Sequence, residues 1–281
     1  MKQERTINLN GTYYSAGKLI STSNRAFLYG DSVFESIRFD SDVLLWPLHY
    51  ARLLRAAAAF GFDFYPWWTE DYFRYEIKKT INQNKLNSAR VRLILFREEE
   101  GTTYTPTSDK CSYLIDVMPL TEPAYSSQEK GLEAGIFTEV KKYPSPYSAY
   151  KSGQSMLYVM ASRKAKKEAW DEVLILNQNE KICESNTGNV WMIKGKLAIT
   201  PPLEDGGISG VMRDHLMRWL PEKGIAIKEE SIHAEKLKDA DEIWISNAVR
   251  GIRWISSLNG KNYGSNLARE IQELLHKENK S

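Results

Sequence analysis

The sequence predicts an α+β protein of two domains, a small N-terminal α/β domain over 1–121 and a larger, strand-rich C-terminal domain over 131–281. Three observations carry this. The 281 residues suffice for two compact halves, at roughly 150 residues per domain. Strand-like segments cluster without a helix between most pairs, which excludes a regular βαβ series. The composition turns polar over 122–130, with Pro, Ser and Gln prominent, and the interdomain linker is placed there.

The first domain reads as short strands and two helices. Segments 6–9, 12–14 and 18–21 are brief strands separated by Asn-Gly and Ala-Gly turns. Segments 34–39 and 43–46 form a hairpin about Asp40-Ser41-Asp42. Pro47 opens a helix whose apolar positions Leu48, Ala51, Leu54 and Ala58 follow the 3.6 period. A second helix covers 69–82. Segment 90–96 begins by alternating Arg90, Val91, Arg92, Leu93 and then turns wholly apolar, and 112–117 follows it as a further strand. In the second domain, strands are expected at 133–138, 172–176, 189–193, 197–200, 225–231 and 241–246, with helices at 154–168, 211–220 and 265–277. No internal repeat or low-complexity tract interrupts the chain.

Composition excludes several classes. Hydrophobic residues at 42% and charged residues at 26% lie in the globular range. The 38 Lys+Arg against 36 Asp+Glu leave a net charge of +2, without the basic footprint of a nucleic-acid binder. Four histidines and two cysteines leave little for a metal site, and none is expected. Cys111 and Cys183 lie far apart without CxxC spacing, as reduced thiols of a cytoplasmic protein do. The longest apolar run, 56–62, is far short of the roughly 20 apolar residues of a membrane span. The N-terminal charges have no apolar stretch behind them, so no signal peptide is expected. These observations point to a cytoplasmic protein acting on a small molecule.

Three segments are too polar, or too oddly punctuated, for plain scaffold. Ala149-Tyr150-Lys151-Ser152-Gly153-Gln154 precedes a helix. Lys151 there reads either as a solvated surface charge or, if desolvated, as a nucleophile towards carbonyls. Cys183-Glu184-Ser185-Asn186-Thr187-Gly188-Asn189 suits a ligand-facing turn or any exposed loop. Asp205 to Arg213, rich in glycine and ending on a helix, reads as an ordinary turn or as a phosphate cup, because glycines let backbone N–H groups approach an anion at the positive end of the helix. Neither GxGxxG nor GxxxxGK[ST] is present, which counts against nicotinamide and P-loop nucleotide sites. A phosphate cup, an amine and an acid for a ring nitrogen together are what a protein supplies to pyridoxal phosphate.

Beyond these features the chain resembles the class IV, fold-type IV, pyridoxal-phosphate enzymes: branched-chain aminotransferases, D-amino acid aminotransferases and aminodeoxychorismate lyases. Asn24-Arg25-Ala26-Phe27-Leu28-Tyr29-Gly30-Asp31-Ser32-Val33-Phe34-Glu35 is similar to their D-R-G-F-x-Y-G-D-G-V-F-E segment. His49-Tyr50-Ala51-Arg52-Leu53 resembles H-x-x-R-L, and Tyr150-Lys151-Ser152 sits where the cofactor-bonding lysine sits. Asp171 to Asn177 leads into Glu184 to Val190, which resembles E-G-S-x-S-N-[IV]. Pro201-Pro202-Leu203 leads into Gly207 to Arg213, similar to G-[IV]-x-G-[IV]-[TM]-R. The resemblance covers nearly the whole chain, in order.

It implies the two-domain fold-type IV architecture (D-amino acid aminotransferase-like), pyridoxal 5'-phosphate as cofactor, and a homodimer with a shared active site in which Tyr29 and the 27–34 segment lie near the partner's cofactor. Phe27, Leu28, Tyr29, Val33 and Phe34 are five large apolar residues in a stretch of eight that no period accounts for. Carried over residue by residue, Lys151 is the catalytic lysine and proton shuttle, Glu184 partners the ring nitrogen, and Arg52 clamps the phosphate bidentately. Val211 and Met212, with Asn247 and Ala248 nearby, complete the phosphate cup. Several positions depart from the pattern: Ser185 replaces a glycine, Asn186 and Gly188 replace serines, Met212 replaces a common threonine, and Gln154 replaces a common asparagine.

Among the subfamilies, Asp241-Glu242-Ile243-Trp244-Ile245-Ser246-Asn247-Ala248-Val249-Arg250-Gly251-Ile252 resembles the D-E-x-x-x-x-N-[AS]-V-R-G-I of aminodeoxychorismate lyases. The loop after Arg97 lacks the P-R-N-H of D-amino acid aminotransferases and the G-x-G-V of branched-chain enzymes. It also lacks the arginine of the lyases' G-G-R-G-Y, keeping Tyr104. The resemblance therefore implies a lyase of the folate branch that turns 4-amino-4-deoxychorismate into 4-aminobenzoate and pyruvate. The alternatives are an aminotransferase acting on branched-chain L-amino acids or D-amino acids with 2-oxoglutarate, and a non-catalytic homologue. Arg38, Arg97, Arg250 and Arg253 are candidates for the substrate's carboxylates, with Tyr29 and Tyr104 beside them.

Overall fold

A computed structural model of the protein describes residues 5–17, 21–98 and 103–279. It divides into two compact units, one of residues 1–123 with 150–154 and one of 124–149 with 155–281. The segment that carries Lys151 thus belongs to the first unit.

In the first unit the elements are β1 (Thr6–Leu9), β2 (Thr12–Ser15), α1 (Arg25–Tyr29), β3 (Ser32–Asp40), β4 (Asp42–Val43), α2 (Trp46–Ala59), α3 (Glu70–Gln83), β5 (Ser88–Arg97) and β6 (Cys111–Pro119). The strands form one sheet in the order β2-β1-β6-β5-β3-β4, antiparallel throughout. Strand β5 alternates as its sequence does: Ala89, Val91, Leu93 and Leu95 are fully buried in one core with Leu53, Ala56 and Ala57 of α2 and Phe73, Ile77 and Ile81 of α3. The same alternation leaves Arg90 and Arg92 on the other face. Thr69 caps α3 by accepting from the Tyr72 amide at 3.2 Å, and Glu70 and Asp71 in its first turn suit the helix dipole.

The second hairpin strand ends at Val43 rather than 46, because Leu45 takes a left-handed φ of 53° and Trp46 begins α2. Residues 25–29 form a short helix, where no period was read; five residues are too few to show one. Of the expected strand at 18–21, residues 18–20 lie outside the described residues and Ser21 is not in a strand.

The second unit contains β7 (Leu132–Lys142), α4 (Met156–Lys167), β8 (Glu172–Asn177), β9 (Lys181–Ser185), β10 (Asn189–Lys194), β11 (Leu197–Thr200), α5 (Val211–Glu222), β12 (Ala226–Glu229), β13 (Ile232–His233), β14 (Glu242–Asn247), β15 (Gly251–Leu258), β16 (Lys261–Asn262) and α6 (Asn266–Glu278). Its sheet runs β12-β11-β10-β14-β15-β7-β8-β9-β13, with β16 beside β15. All six residues of β8 are buried. Val173 and Ile175 pack with Ala161 and Ala165 of α4, while Leu174 and Leu176 enter a second core with Val190, Ile243 and Ile255. Both faces are therefore covered, which is why these strands read as continuous apolar runs. Strand β15 is absent from the expected elements, since the buried positions of Gly251 to Leu258 do not alternate. Among the described residues no helix is long and apolar enough to cross a membrane, and no group of three or more His, Cys, Asp or Glu is placed to hold a metal ion.

Candidate active site

In the first unit, main-chain hydrogen bonds fix the segment that carries Lys151. The Phe34 amide donates to the Lys151 carbonyl at 2.8 Å, and the Gly153 amide donates to the Ser32 carbonyl at 2.8 Å, so 151–153 lies as an extra rung along β3. The close approach needs Gly153: a Cβ there would sit 2.4 Å from Ser32 Oγ and 2.9 Å from the Gly30 carbonyl oxygen. This register puts Lys151 Nζ 4.8 Å from the centroid of the Phe34 ring. Arg92, from the outward face of β5, lies over the same ring at 4.8 Å. Two cations thus share one aromatic ring.

On the helix side of that sheet, the period-2 pattern of β3 turns Glu35 inward with Val33 and Ile37. The i, i+3 spacing of α2 brings His49 and Arg52 to meet it. Arg52 Nε donates to Glu35 Oε1 at 2.8 Å and Nη2 to Oε2 at 2.5 Å, and His49 Nδ1 is 2.6 Å from Oε2. Two of the donors by which Arg52 would grip a phosphate are thus closed on Glu35. Burial alone would raise Glu35, but Arg52 and His49 outweigh it and bring the carboxyl down from 4.5 to about 2. Burial pushes His49 down, so it stays neutral, and its Nε2 is buried without a hydrogen-bond partner.

Glu35→Gln removes the carboxylate charge that pairs with the buried Arg52 guanidinium. It should cost about 3 kcal/mol of stability at neutral pH, read from urea unfolding. Because the folded pKa lies below the unfolded one, the stabilisation is complete above about 4.5 and lost as pH falls towards about 2. The gap between wild type and variant should close over that window; equal stability at pH 7 would contradict the assignment.

Of the candidate substrate residues in this unit, Tyr29 and Tyr104 are together, with ring centroids 5.3 Å apart and Tyr104 86% exposed. Arg25 fixes that contact by donating to the Thr103 and Tyr104 carbonyls at 2.7 and 2.8 Å. Arg97 is buried with all three guanidinium nitrogens engaged: Asp31 at 3.0 Å, Asp109, and the Gly61 and Phe60 carbonyls at 3.3 and 2.7 Å. Arg38, also buried, donates to Ser88 Oγ at 3.2 Å and to the Glu122 carbonyl. Both brace the unit from within.

In the second unit, Glu184 is 2% exposed at the end of β9. Its Oε1 accepts from the Tyr158 hydroxyl at 2.6 Å and from the Lys142 ammonium, and its Oε2 from the Ile208 amide at 3.0 Å. Burial, then the charge of Glu184, push the Tyr158 phenol up, so it remains a donor. Ile208 belongs to the glycine loop, which Asn189 Nδ2 also holds by donating to the Ile208 carbonyl at 2.8 Å. A Cβ at Gly210 would lie 1.9 Å from Asn189 Oδ1, so only glycine lets the loop close. Helix α5 then starts with no side-chain cap, Val211 and Met212 buried in its first turn, and the first amides of a helix lack intrahelical acceptors. Arg213 points away, to the Pro201 carbonyl at 3.1 Å and to Glu229.

The departures from the family pattern have structural uses. Ser185 Oγ accepts from the Thr187 and Gly188 amides at 3.2 and 3.0 Å, and Asn186 Oδ1 from the Val173 amide at 2.9 Å. Asn247 Nδ2 donates to the Thr187 carbonyl at 3.3 Å, tying β14 to this turn. Its Oδ1 accepts from the Val249 and Arg250 amides at 3.1 and 2.9 Å. Ala248 is fastened through its carbonyl, which accepts from Tyr125 at 3.0 Å. The Arg250 side chain is exposed. Burial raises Glu172, against hydrogen bonds from Thr187 and Ser185 and the charge of Arg253.

Sequence reasoning passed over Lys142, Tyr158 and Arg92. The alternation of β5 already pointed Arg92 outward. Lys142, in a Lys-Lys pair ending a strand, carried no signal to separate it from a solvated charge.

The family model described as amino-transferase class IV matches residues 32–258. The branched-chain-amino-acid aminotransferase of Escherichia coli (strain K12) is 26% identical over 257 residues, covering 87% of this chain and 82% of that protein. The aminodeoxychorismate lyase of Vibrio harveyi is 23% identical over 242 residues, covering 85% and 87%. A solved E. coli branched-chain aminotransferase superposes with a TM-score of 0.88 at 23% identity, over 98% of this chain and 94% of that one, which shows the fold. The two-domain fold-type IV architecture expected above is thereby shown. The chain belongs to the class IV aminotransferase family, whose members are pyridoxal-phosphate-dependent enzymes.

Proposed function

We propose that the protein is the lyase that converts 4-amino-4-deoxychorismate to 4-aminobenzoate and pyruvate. The observation that carries this reading is the Asn247 turn, whose side chain takes up the Val249 and Arg250 amides. An aminotransferase must hold a carboxylate directly beside the reacting carbon, and free loop amides suit that task. The amine-bearing carbon of aminodeoxychorismate has no carboxylate beside it, so a self-satisfied turn suits the lyase. The aminotransferase reading, on branched-chain L-amino acids or D-amino acids with 2-oxoglutarate, draws equal support from the relatives.

The residues fit pyridoxal phosphate. Glu184 is surrounded by donors and buried, and α5 opens uncapped from a loop that only glycine closes. Bound cofactor would supply an electron sink for the carbon that loses its proton. Glu184 would accept from the ring N–H. Amides of Val211 and Met212, near Asn247 and Ala248, would face the phosphate. Arg52, oriented by Glu35, would add charge there.

Lys151 Nζ would bond the cofactor, be displaced by the substrate amine, and take the proton from the amine-bearing carbon. The C–O bond to the enolpyruvyl group would then break as the ring becomes aromatic, and the leaving group would gain a proton at its methylene carbon to become pyruvate. Lys151 Nζ would take its place on the cofactor again to release 4-aminobenzoate. Arg92, beside the ring that Lys151 covers, would meet a substrate carboxylate.

Incubation with 4-amino-4-deoxychorismate should yield 4-aminobenzoate and pyruvate in equal amounts. Branched-chain L-amino acids or D-alanine with 2-oxoglutarate should yield no glutamate. Glutamate without 4-aminobenzoate would overturn the lyase in favour of the aminotransferase.

We also propose a homodimer that seats α1 against its partner, with Tyr29 near the partner's cofactor, because Phe27 and Leu28 are 69% and 41% exposed there. An obligate interface of this kind buries about 2,000 Å² or more. Light scattering at micromolar concentration should give twice the chain mass; an active monomer contradicts it.

A further inference from the structure

We propose that Lys142 and Tyr158 are positioning residues that fix the Glu184 carboxylate as a one-sided acceptor, and so set how tightly it grips the ring nitrogen of the cofactor. This rests on the pyridoxal-phosphate role given to Glu184 above.

Strand β7 runs eleven residues, and its last residue, Lys142, delivers an ammonium into the second unit with its side chain only 11% exposed. That ammonium lies 5.4 Å from the centroid of the Tyr158 ring and donates to the Tyr158 hydroxyl oxygen at 2.8 Å. The hydroxyl in turn donates to Glu184 Oε1 at 2.6 Å, and Lys142 donates to the same oxygen. Lysine, phenol and carboxylate form a closed triangle. A carboxylate has about four acceptor positions. Two on Oε1 and one on Oε2, taken by the Ile208 amide, are filled. The open position is on Oε2, away from the ammonium.

The charges then act in one direction. A ring N–H on the Oε2 side lies farther from Lys142 than the carboxylate does. The ammonium therefore stabilises the carboxylate more than it repels a protonated ring, and it keeps the shared proton on the ring nitrogen. Without Lys142 the proton moves towards Glu184, and a charge-assisted bond becomes an ordinary one, roughly half as strong. Lys142 never touches the reacting carbon; its influence passes through Glu184.

The test compares two cofactors, pyridoxal phosphate and its 1-deaza analogue, which carries a C–H in place of the ring nitrogen. Dissociation constants for both are measured by absorbance titration on wild type, Lys142→Met, Lys142→Arg and Tyr158→Phe, each shown to be folded by its thermal transition. We expect wild type to prefer pyridoxal phosphate, Lys142→Met to lose about tenfold of that preference, Tyr158→Phe to lose less, and Lys142→Arg to keep most of it. A Lys142→Met protein that binds both cofactors more weakly by one factor, or keeps the full preference, overturns the proposal and makes Lys142 a strut. If Lys142→Met does not fold, an unchanged preference in Tyr158→Phe together with a lost one in Lys142→Arg overturns it. Wild type that binds neither cofactor overturns the functional reading itself.

Discussion

Lys151→Ala should abolish turnover while leaving the fold intact. The side chain is dispensable for folding because its segment is held by main chain: the Lys151 carbonyl accepts from Phe34 and the Gly153 amide donates to Ser32, both at 2.8 Å. Alanine changes neither bond. The amine is indispensable for the proposed chemistry, as the group that bonds the cofactor and moves the proton. Losing a positioned proton carrier alone costs about 100-fold to 10,000-fold, and losing the covalent step adds to that. The rate of 4-aminobenzoate formation and the visible absorbance of the lysine-bound cofactor should fall together, with an unchanged thermal transition. A variant that keeps wild-type turnover would move the chemistry to another lysine.

Glu184→Gln should retain cofactor but slow turnover by about 100-fold or more, if the ring nitrogen loses its proton. The amide cannot stand in for the carboxylate. It would set an N–H or a neutral carbonyl against the Tyr158 hydroxyl, the Ile208 amide and the Lys142 ammonium, all of which donate to Glu184. The variant also leaves Lys142 buried without its counter-charge, so a lower thermal transition is expected alongside the slower rate. Lost stability with an unchanged kcat would make Glu184 a structural acid.

Much of this was legible in the order of the residues. The alternation of 90–96 places β5 and aims Arg92 outward, and Thr69 followed by Glu70 and Asp71 marks the start of α3. The glycines around Ile208 and the polar turn after Glu184 stood out because neither suits scaffold. What was not legible depends on partners far apart in sequence. Nothing near Arg97 foretells that Asp31 and the Phe60 and Gly61 carbonyls will enclose it, so it read as a candidate for substrate. Lys142 meets Glu184 only because β7 runs parallel to β8 and β9 folds back antiparallel on β8. Ser185 and Asn186 read as departures from a pattern, whereas the structure uses their side chains to close the turn.

The most direct measurement is to load the protein with pyridoxal phosphate, reduce it with borohydride, digest it and locate the added pyridoxyl mass. The account predicts a single modified lysine, Lys151, in the peptide that lies along β3. Label on Lys142 or any other lysine, or no label at all, would contradict it.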